Sequence, residues 1–494
     1  MRRPPLGTLL VLAALVGGSL VLGSAPPSPS SAAVQQVEVV GATAVCPDLH
    51  QRHDLLQTRV SIGAAPLPAG RTESPGDVTM AHLNRTGGIQ HIPVTAPGQV
   101  AVGLGTTTSE DGLVVNASGE LAAGIEVEEV SRGQRGPDRG LADLRCDAPR
   151  REAWFEGGAT ALGDQTSLVL ANGDDTPSTV DVAIFSSAGP IDSRVGQGIT
   201  VAPHTRMGIP LDTLAPDHAL LALHVLSRRG RVTAALRHSW VLGPTSLGVD
   251  WIPRVDGPAT RVVVPGFPKG PGARVLLITN PGTDDTTVAV QVTTADGQFV
   301  PTGMNALNVP AGTTIKARLE PLTNDSALAA TVTSDGVPIL AGGWVQDGQP
   351  GSAVREFAYT GQTAPLSGPA LLTDLVIDRP TESTLILSAL EDKAVVRVTP
   401  IRVLGTVGGL PRPRTILVPA GRTATFRLST FYPPGTSTRL AVEVTTLSGS
   451  GPVYAARYLR EHGAHGPLLT LLDLKGPAQR VPRPVVQRDP RLAP

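Results

Sequence analysis

Aromatic residues make up only 3% of this 494-residue chain and charged residues 17%, with a formal net charge of −1. A nucleic-acid binder needs clustered positive charge and stacking rings, so that partner class is excluded. Lysine is nearly absent, with only Lys269, Lys316, Lys393 and Lys475. The chain has no Gly-x-Ser-x-Gly, no phosphate-cradling glycine loop, no Cys-x-x-Cys and no helical His-Glu spacing of a metalloprotease. Each absence removes a catalytic or redox class, so a non-enzymatic protein without a cofactor or metal is expected. Sustained helical periodicity is also missing, and no run beyond the N-terminal one is long and apolar enough to cross a bilayer.

The N-terminus carries the order of an export signal: Arg2 and Arg3, the apolar stretch from Leu6 to Gly23, then small residues up to Ala33. Two readings stay open. Ser31-Ala32-Ala33 offers cleavage before Val34, and about 18 residues at roughly 1.5 Å rise just span a bilayer as an anchor. Either way residues 34 onward are expected outside the cytoplasm, secreted or held at the outer face of the plasma membrane, with membrane contact only through residues 1–33. Cys46 and Cys146 are the only cysteines. In an exported chain an even pair is expected to form a structural disulfide, here closing a loop of about 100 residues.

Glycine and proline, 55 and 46 residues, sit between short Val/Thr/Leu runs rather than in one tract, which is the punctuation of a β protein. In Thr286–Thr294 the valines recur at every second position, as on one face of a sheet. The stretch from Val309, "VPAGTTIKARLEPL", returns from Val418 as "VPAGRTATFRLSTF", with weaker relatives from Val94 and Val201. Gly98, His204, Gly312 and Gly421 occupy the equivalent turn, spaced 106, 108 and 109 residues apart. A period of that size is a self-sufficient domain rather than a solenoid unit.

The expected fold is therefore all-β: tandem immunoglobulin- or fibronectin-like antiparallel sandwiches. The expected division is a signal or anchor at 1–33, a divergent first sandwich at 34–160, further sandwiches at 161–255, 256–365 and 366–475, and an unstructured tail at 476–494.

Candidate chemistry is sparse. The pairs His50/His53 and His462/His465 are three apart in turn-like stretches, and Asp174-Asp175 recurs as Asp284-Asp285 at equivalent turns, where the turn itself explains the carboxylates. Arg132, Arg135 and Arg139 are expected in a solvated hairpin tip. Trp154 and Phe155, in "WFEGG", form the densest aromatic pair: either a plug between sandwiches or a ligand platform for a sugar. Trp240 and Trp344 end strands of their repeats, with Tyr458 close to the corresponding place, which favours packing.

The "CP" at Cys46-Pro47, "WFEGG" at Trp154–Gly158, "LVLANGDD" and the repeated "V-x-P-x-G-T" stretches together resemble an uncharacterised family. Its members are large secreted or membrane-anchored proteins of high-GC Gram-positive bacteria, a domain of unknown function. The resemblance implies an envelope location and no mechanism. The expected role is a scaffold, spacer or adhesion surface of the cell envelope, with cell-wall glycan or another envelope protein as partner. The alternative is a carbohydrate- or cell-wall-binding protein associated with envelope glycan metabolism.

Overall fold

The computed structural model describes residues 35–47, 56–67, 74–104, 112–136, 139–319, 326–348, 355–378, 381–433, 435–477 and 480–483. Residues 1–33, expected as signal or anchor, lie outside the described residues, as do His50 and His53.

The alternation seen in the sequence becomes sheet pairing. Thr286–Thr294 pairs with Leu328–Ser334, and Val288, Val290 and Val292 all point inward, fully buried. In this third sandwich one sheet runs Arg261–Phe267, Leu328–Ser334, Thr286–Thr294, Gly297–Phe299, with Leu307–Val309 also on Thr286–Thr294. The facing sheet runs Thr314–Arg318, Arg274–Thr279, Leu340–Asp347, Glu356–Gly361. Leu276, Ile278 and Ala341 of the second sheet meet the three valines of the first in a single core. The fourth sandwich repeats this order from Ala370–Ile377 to Gly466–Asp473, and the second does so from Glu152–Glu156 to Thr245–Ile252. The first opens on Gly41–Cys46 and ends on Gly140–Arg145. All the pairings within these sheets are antiparallel, so the fold is all-β with tandem sandwiches.

Two segments sit differently from their expected place. Glu152–Glu156 pairs with Leu221–Arg229 and so belongs to the second sandwich, not to residues 34–160. Its Trp-Phe pair bears little likeness to the valine-rich Arg261–Phe267 that opens the third, which hid the repeat. Arg480–Arg483, inside the expected unstructured tail, forms a strand with Gln35–Glu38. In a two-stranded ribbon both strands are edges, so Pro482 is tolerated there.

The repeated turn has a conformational reason. Gly98, Gly312 and Gly421 have φ of 81°, 66° and 66°, and His204 takes 53°. This is the left-handed region, which costs a side chain about 1–2 kcal/mol per residue.

Within Val39–Gln479 the sandwiches do not merely follow one another. Their final strands meet in a cycle: Gly140–Arg145 lies on Thr245–Ile252, that on Glu356–Gly361, that on Gly466–Asp473, which returns to Gly140–Arg145. The opening strands repeat a second contact. Glu152–Glu156 packs on Leu340–Asp347 of the third sandwich, Arg261–Phe267 on Val453–Gly463 of the fourth, and Ala370–Ile377 on Ile125–Gly133 of the first. Val45 of the first sandwich meets Ala171 of the second in the same sense. A head-to-tail interface either propagates or closes, and here it closes after four units.

The hub of this ring is polar and buried. Asp250 accepts hydrogen bonds from the Tyr359 amide of the third sandwich at 2.9 Å and from Thr470 Oγ1 of the fourth at 2.9 Å. Asp473 accepts from Thr360 Oγ1 at 3.2 Å and the Gly361 amide at 3.3 Å. Arg457 of the fourth sandwich is fully buried and pairs with Glu128 at 2.8 Å and with Asp143, both of the first. Arg139 corrects its expected place in a solvated loop: it is buried and donates to the Arg355 carbonyl at 3.2 Å, while Arg132 pairs with Glu461 and Arg135 alone of the three is exposed. The backbone of Arg139 also reaches the second sandwich, accepting from Ser246 Oγ at 2.7 Å.

Candidate functional site

The second and third sandwiches meet around a cleft of about 220 Å³. Asp164 and Thr233–Leu242 of the second sandwich form one side, and Arg274–Thr279, Thr314–Arg318, Leu340–Asp347 and Glu356–Gly361 of the third form the other. Its wall carries two of the four tryptophans, Trp240 and Trp344.

Strand register places these two indoles at different positions of the repeat. Trp344 pairs with Val275, and Tyr458 pairs with Thr384 at the same point of the fourth sandwich, so Tyr458 is the counterpart of Trp344. In the second sandwich that position falls to Arg237, opposite Ser167, while Trp240 lies three residues further on. The shared strand-end position implied in sequence thus holds for Trp344 and Tyr458 and fails for Trp240. Two indoles from non-equivalent positions converge on one cleft.

A hydrogen-bonded chain crosses the same junction. Asp164 Oδ1 lies 2.9 Å from His238 Nε2, and His238 Nδ1 lies 2.8 Å from the Tyr359 hydroxyl. A carboxylate only accepts, so in the neutral imidazole the Nε2 proton is donated to Asp164 and Nδ1 accepts from the Tyr359 hydroxyl. Burial pushes the Tyr359 phenol well up, so it stays protonated. His238 also packs against Phe357, with ring centroids 4.9 Å apart. Lys316 reaches across from the third sandwich and donates to the Ala219 carbonyl of the second at 2.8 Å. The cleft therefore combines a carboxylate, an ammonium and two indoles, with the imidazole and phenol holding the carboxylate in place.

The aromatic pair singled out in the sequence sits elsewhere. Phe155 is 1% exposed in the core of the second sandwich, and Trp154 is 8% exposed between His224, Val255 and Leu340. The indole stacks on His224 at 3.7 Å and its Nε1 donates to Glu152 at 3.0 Å. Neither ring offers an open face to solvent. The next residue, Glu156, is buried and accepts from Thr279 Oγ1 at 2.9 Å and Thr314 Oγ1 at 3.1 Å of the third sandwich. With two hydroxyls and, among the described residues, no cation beside it, burial raises its carboxyl to about 8.

The other sequence candidates resolve into local structure. Cys46 and Cys146 are bonded, with Cα atoms 4.7 Å apart. Glu129 is the only further ligand-type side chain grouped with them among the described residues, and sulfurs joined to each other are not thiolate ligands. Asn172 and Asn280, fully buried, clasp the two aspartate turns alike, each amide donating to two carbonyls: Thr176 and Val201 in one, Asp284 and Val309 in the other. Asp174 pairs with Arg231, and Asp175 takes His204 at 2.9 Å and Arg85 at 2.7 Å. His462 and His465 are exposed in the hairpin joining the last two strands of the fourth sandwich.

Asp164, Lys316 and Tyr359 were not singled out by sequence reasoning. A family described as of unknown function, DUF5719, matches residues 101–411, well over half of the chain and inclusive of the whole cleft. The chain belongs to this family. No curated protein and no solved structure matches it.

Proposed function

We propose that this member of DUF5719 is a non-enzymatic, extracytoplasmic protein of the cell envelope that acts as a rigid binding scaffold, secreted or anchored by residues 1–33. The observation that carries the reading is the closed ring. A spacer gains reach by placing modules end to end, whereas four sandwiches cycling about one hub give up reach for fixed junction surfaces. The Cys46–Cys146 bond suits an oxidising compartment. The charge-then-apolar order of the N-terminus suits export.

A hydrolytic reading finds less support in the cleft. Its Asp-His pair ends on a phenol, and burial raises that phenol rather than activating it. Cell fractionation combined with thiol alkylation tests the proposal. The expected result is protein in the envelope or medium with both cysteines protected, retained on isolated envelope material. Cytoplasmic protein with free thiols contradicts it.

A further inference from the structure

We propose that the cleft between the second and third sandwiches is a saccharide site that takes a single pyranose ring through Asp164, Lys316, Trp240 and Trp344. This rests on the reading of the protein as an extracytoplasmic binding scaffold and gives that reading a ligand class.

Size sets the first limit. Clefts that bury drug-sized ligands run from roughly 300 to 1,000 Å³. At about 220 Å³ this one admits one ring and not a chain of them, so the ligand is a terminal or free sugar. Charge sets the second. One carboxylate and one ammonium leave no net charge, which disfavours a phosphate or a quaternary amine and suits a neutral ligand. The hydrogen-bonding inventory points the same way. Asp164 spends Oδ1 on His238 and keeps Oδ2, an acceptor; Lys316 spends one donor on the Ala219 carbonyl and has further donors. A sugar hydroxyl is both donor and acceptor, so adjacent hydroxyls satisfy both groups at once. The two indoles supply apolar wall for the C–H faces of the ring and carry an N–H each.

The positioning is built, not incidental. The Asp164 carboxylate is held by a histidine that is itself fixed by Tyr359 from the other sandwich, so its geometry depends on the closed junction. The equivalent junction between the third and fourth sandwiches also has a cleft, lined by Thr384, Ile386 and Tyr458 where this one has Val275, Leu277 and Trp344. Its further lining includes Glu382, Arg427 and Arg460. The third–fourth junction keeps the cleft's position and not its chemistry, as expected when one copy serves a ligand.

The test is titration of the intact protein with glucose, galactose, mannose and N-acetylglucosamine, read by tryptophan fluorescence and saturation-transfer NMR. The expected result is saturable binding of at least one, weakened tenfold or more by Trp344→Ala and by Asp164→Asn. Lys316→Ala, at an exposed residue, serves as the variant that leaves folding intact and is expected to weaken binding several-fold. Binding unchanged in Lys316→Ala and Asp164→Asn, or no saturation by any of the four sugars, overturns the site. So does tighter binding of glycine, phosphate or choline than of any sugar. Retention on envelope material without sugar binding removes this site and leaves the scaffold reading standing; cytoplasmic protein with free thiols removes the scaffold reading itself.

Discussion

His204 and Gly312 occupy the same turn of consecutive sandwiches, and both hold a left-handed backbone, at φ 53° and 66°. The glycine faces its neighbour tightly: a Cβ added there would lie 2.5 Å from Pro190 Cγ of the second sandwich. The histidine instead carries its side chain to Asp175, which also holds Arg85 of the first sandwich. One turn thus serves as a junction contact in both places, by close approach in one and by a polar bridge in the other.

Gly312→Ala therefore meets both a φ penalty and a clash with a proline ring. Its expected cost is about 2 kcal/mol or more. His204→Gly removes the φ penalty together with the contact to the exposed Asp175, so its effect is expected to be much smaller than that of Gly312→Ala. Urea denaturation of the two variants checks the contrast.

Glu156 supplies a pH dependence. Its carboxyl is raised to about 8 in the folded protein from an ordinary 4.5, because burial penalises the charged form. Between those values the folded state holds a proton that the unfolded state has released, so this residue makes stability fall as pH rises from about 4.5 to 8. Glu156→Gln keeps the acceptor oxygen and has no proton to lose. Its denaturation midpoint is expected to depend less steeply on pH across that window; an unchanged slope contradicts the assignment.

Arg457→Met strands Glu128 and Asp143 without their cation in the hub. Breaking a buried ion pair by removing one partner costs about 3–5 kcal/mol, and the loss falls where the fourth sandwich meets the first. Denaturation and limited proteolysis of the variant are expected to show lower stability with cleavage near the link between the third and fourth sandwiches.

Replacing Cys46 and Cys146 together by alanine removes a loop constraint of about 100 residues, worth up to about 4–5 kcal/mol in the chain-entropy model. Thermal unfolding of the variant under oxidising conditions is expected well below that of the parent. Equal midpoints contradict a stabilising bridge.

The sandwiches were legible in the sequence because local rules recur along the chain: valines at every second position, glycine at three of the four repeated positive-φ turns, and aspartates at turns. The sequence reading also paired Cys46 with Cys146. Ring closure was not legible, since it depends on surfaces far apart in the chain. Nothing near Asp250 announces that its carboxylate meets the Tyr359 amide, or near Arg457 that its partners are Glu128 and Asp143. The cleft was hidden for a related reason. Trp240 and Trp344 look like one repeated position in sequence, and only strand register shows them three residues out of step. The densest aromatic pair, Trp154 and Phe155, drew attention that composition alone could not redirect to Asp164, Lys316 and Tyr359.

The closed ring is tested most directly at the seam between the first and fourth sandwiches, where Ser61 Oγ lies 2.6 Å from Thr373 Oγ1. With cysteine at both positions, mild oxidation of the folded protein followed by peptide mass spectrometry is expected to recover an intramolecular 61–373 disulfide at every protein concentration. Sandwiches strung without closure would leave both thiols free, or link them only between molecules as concentration rises.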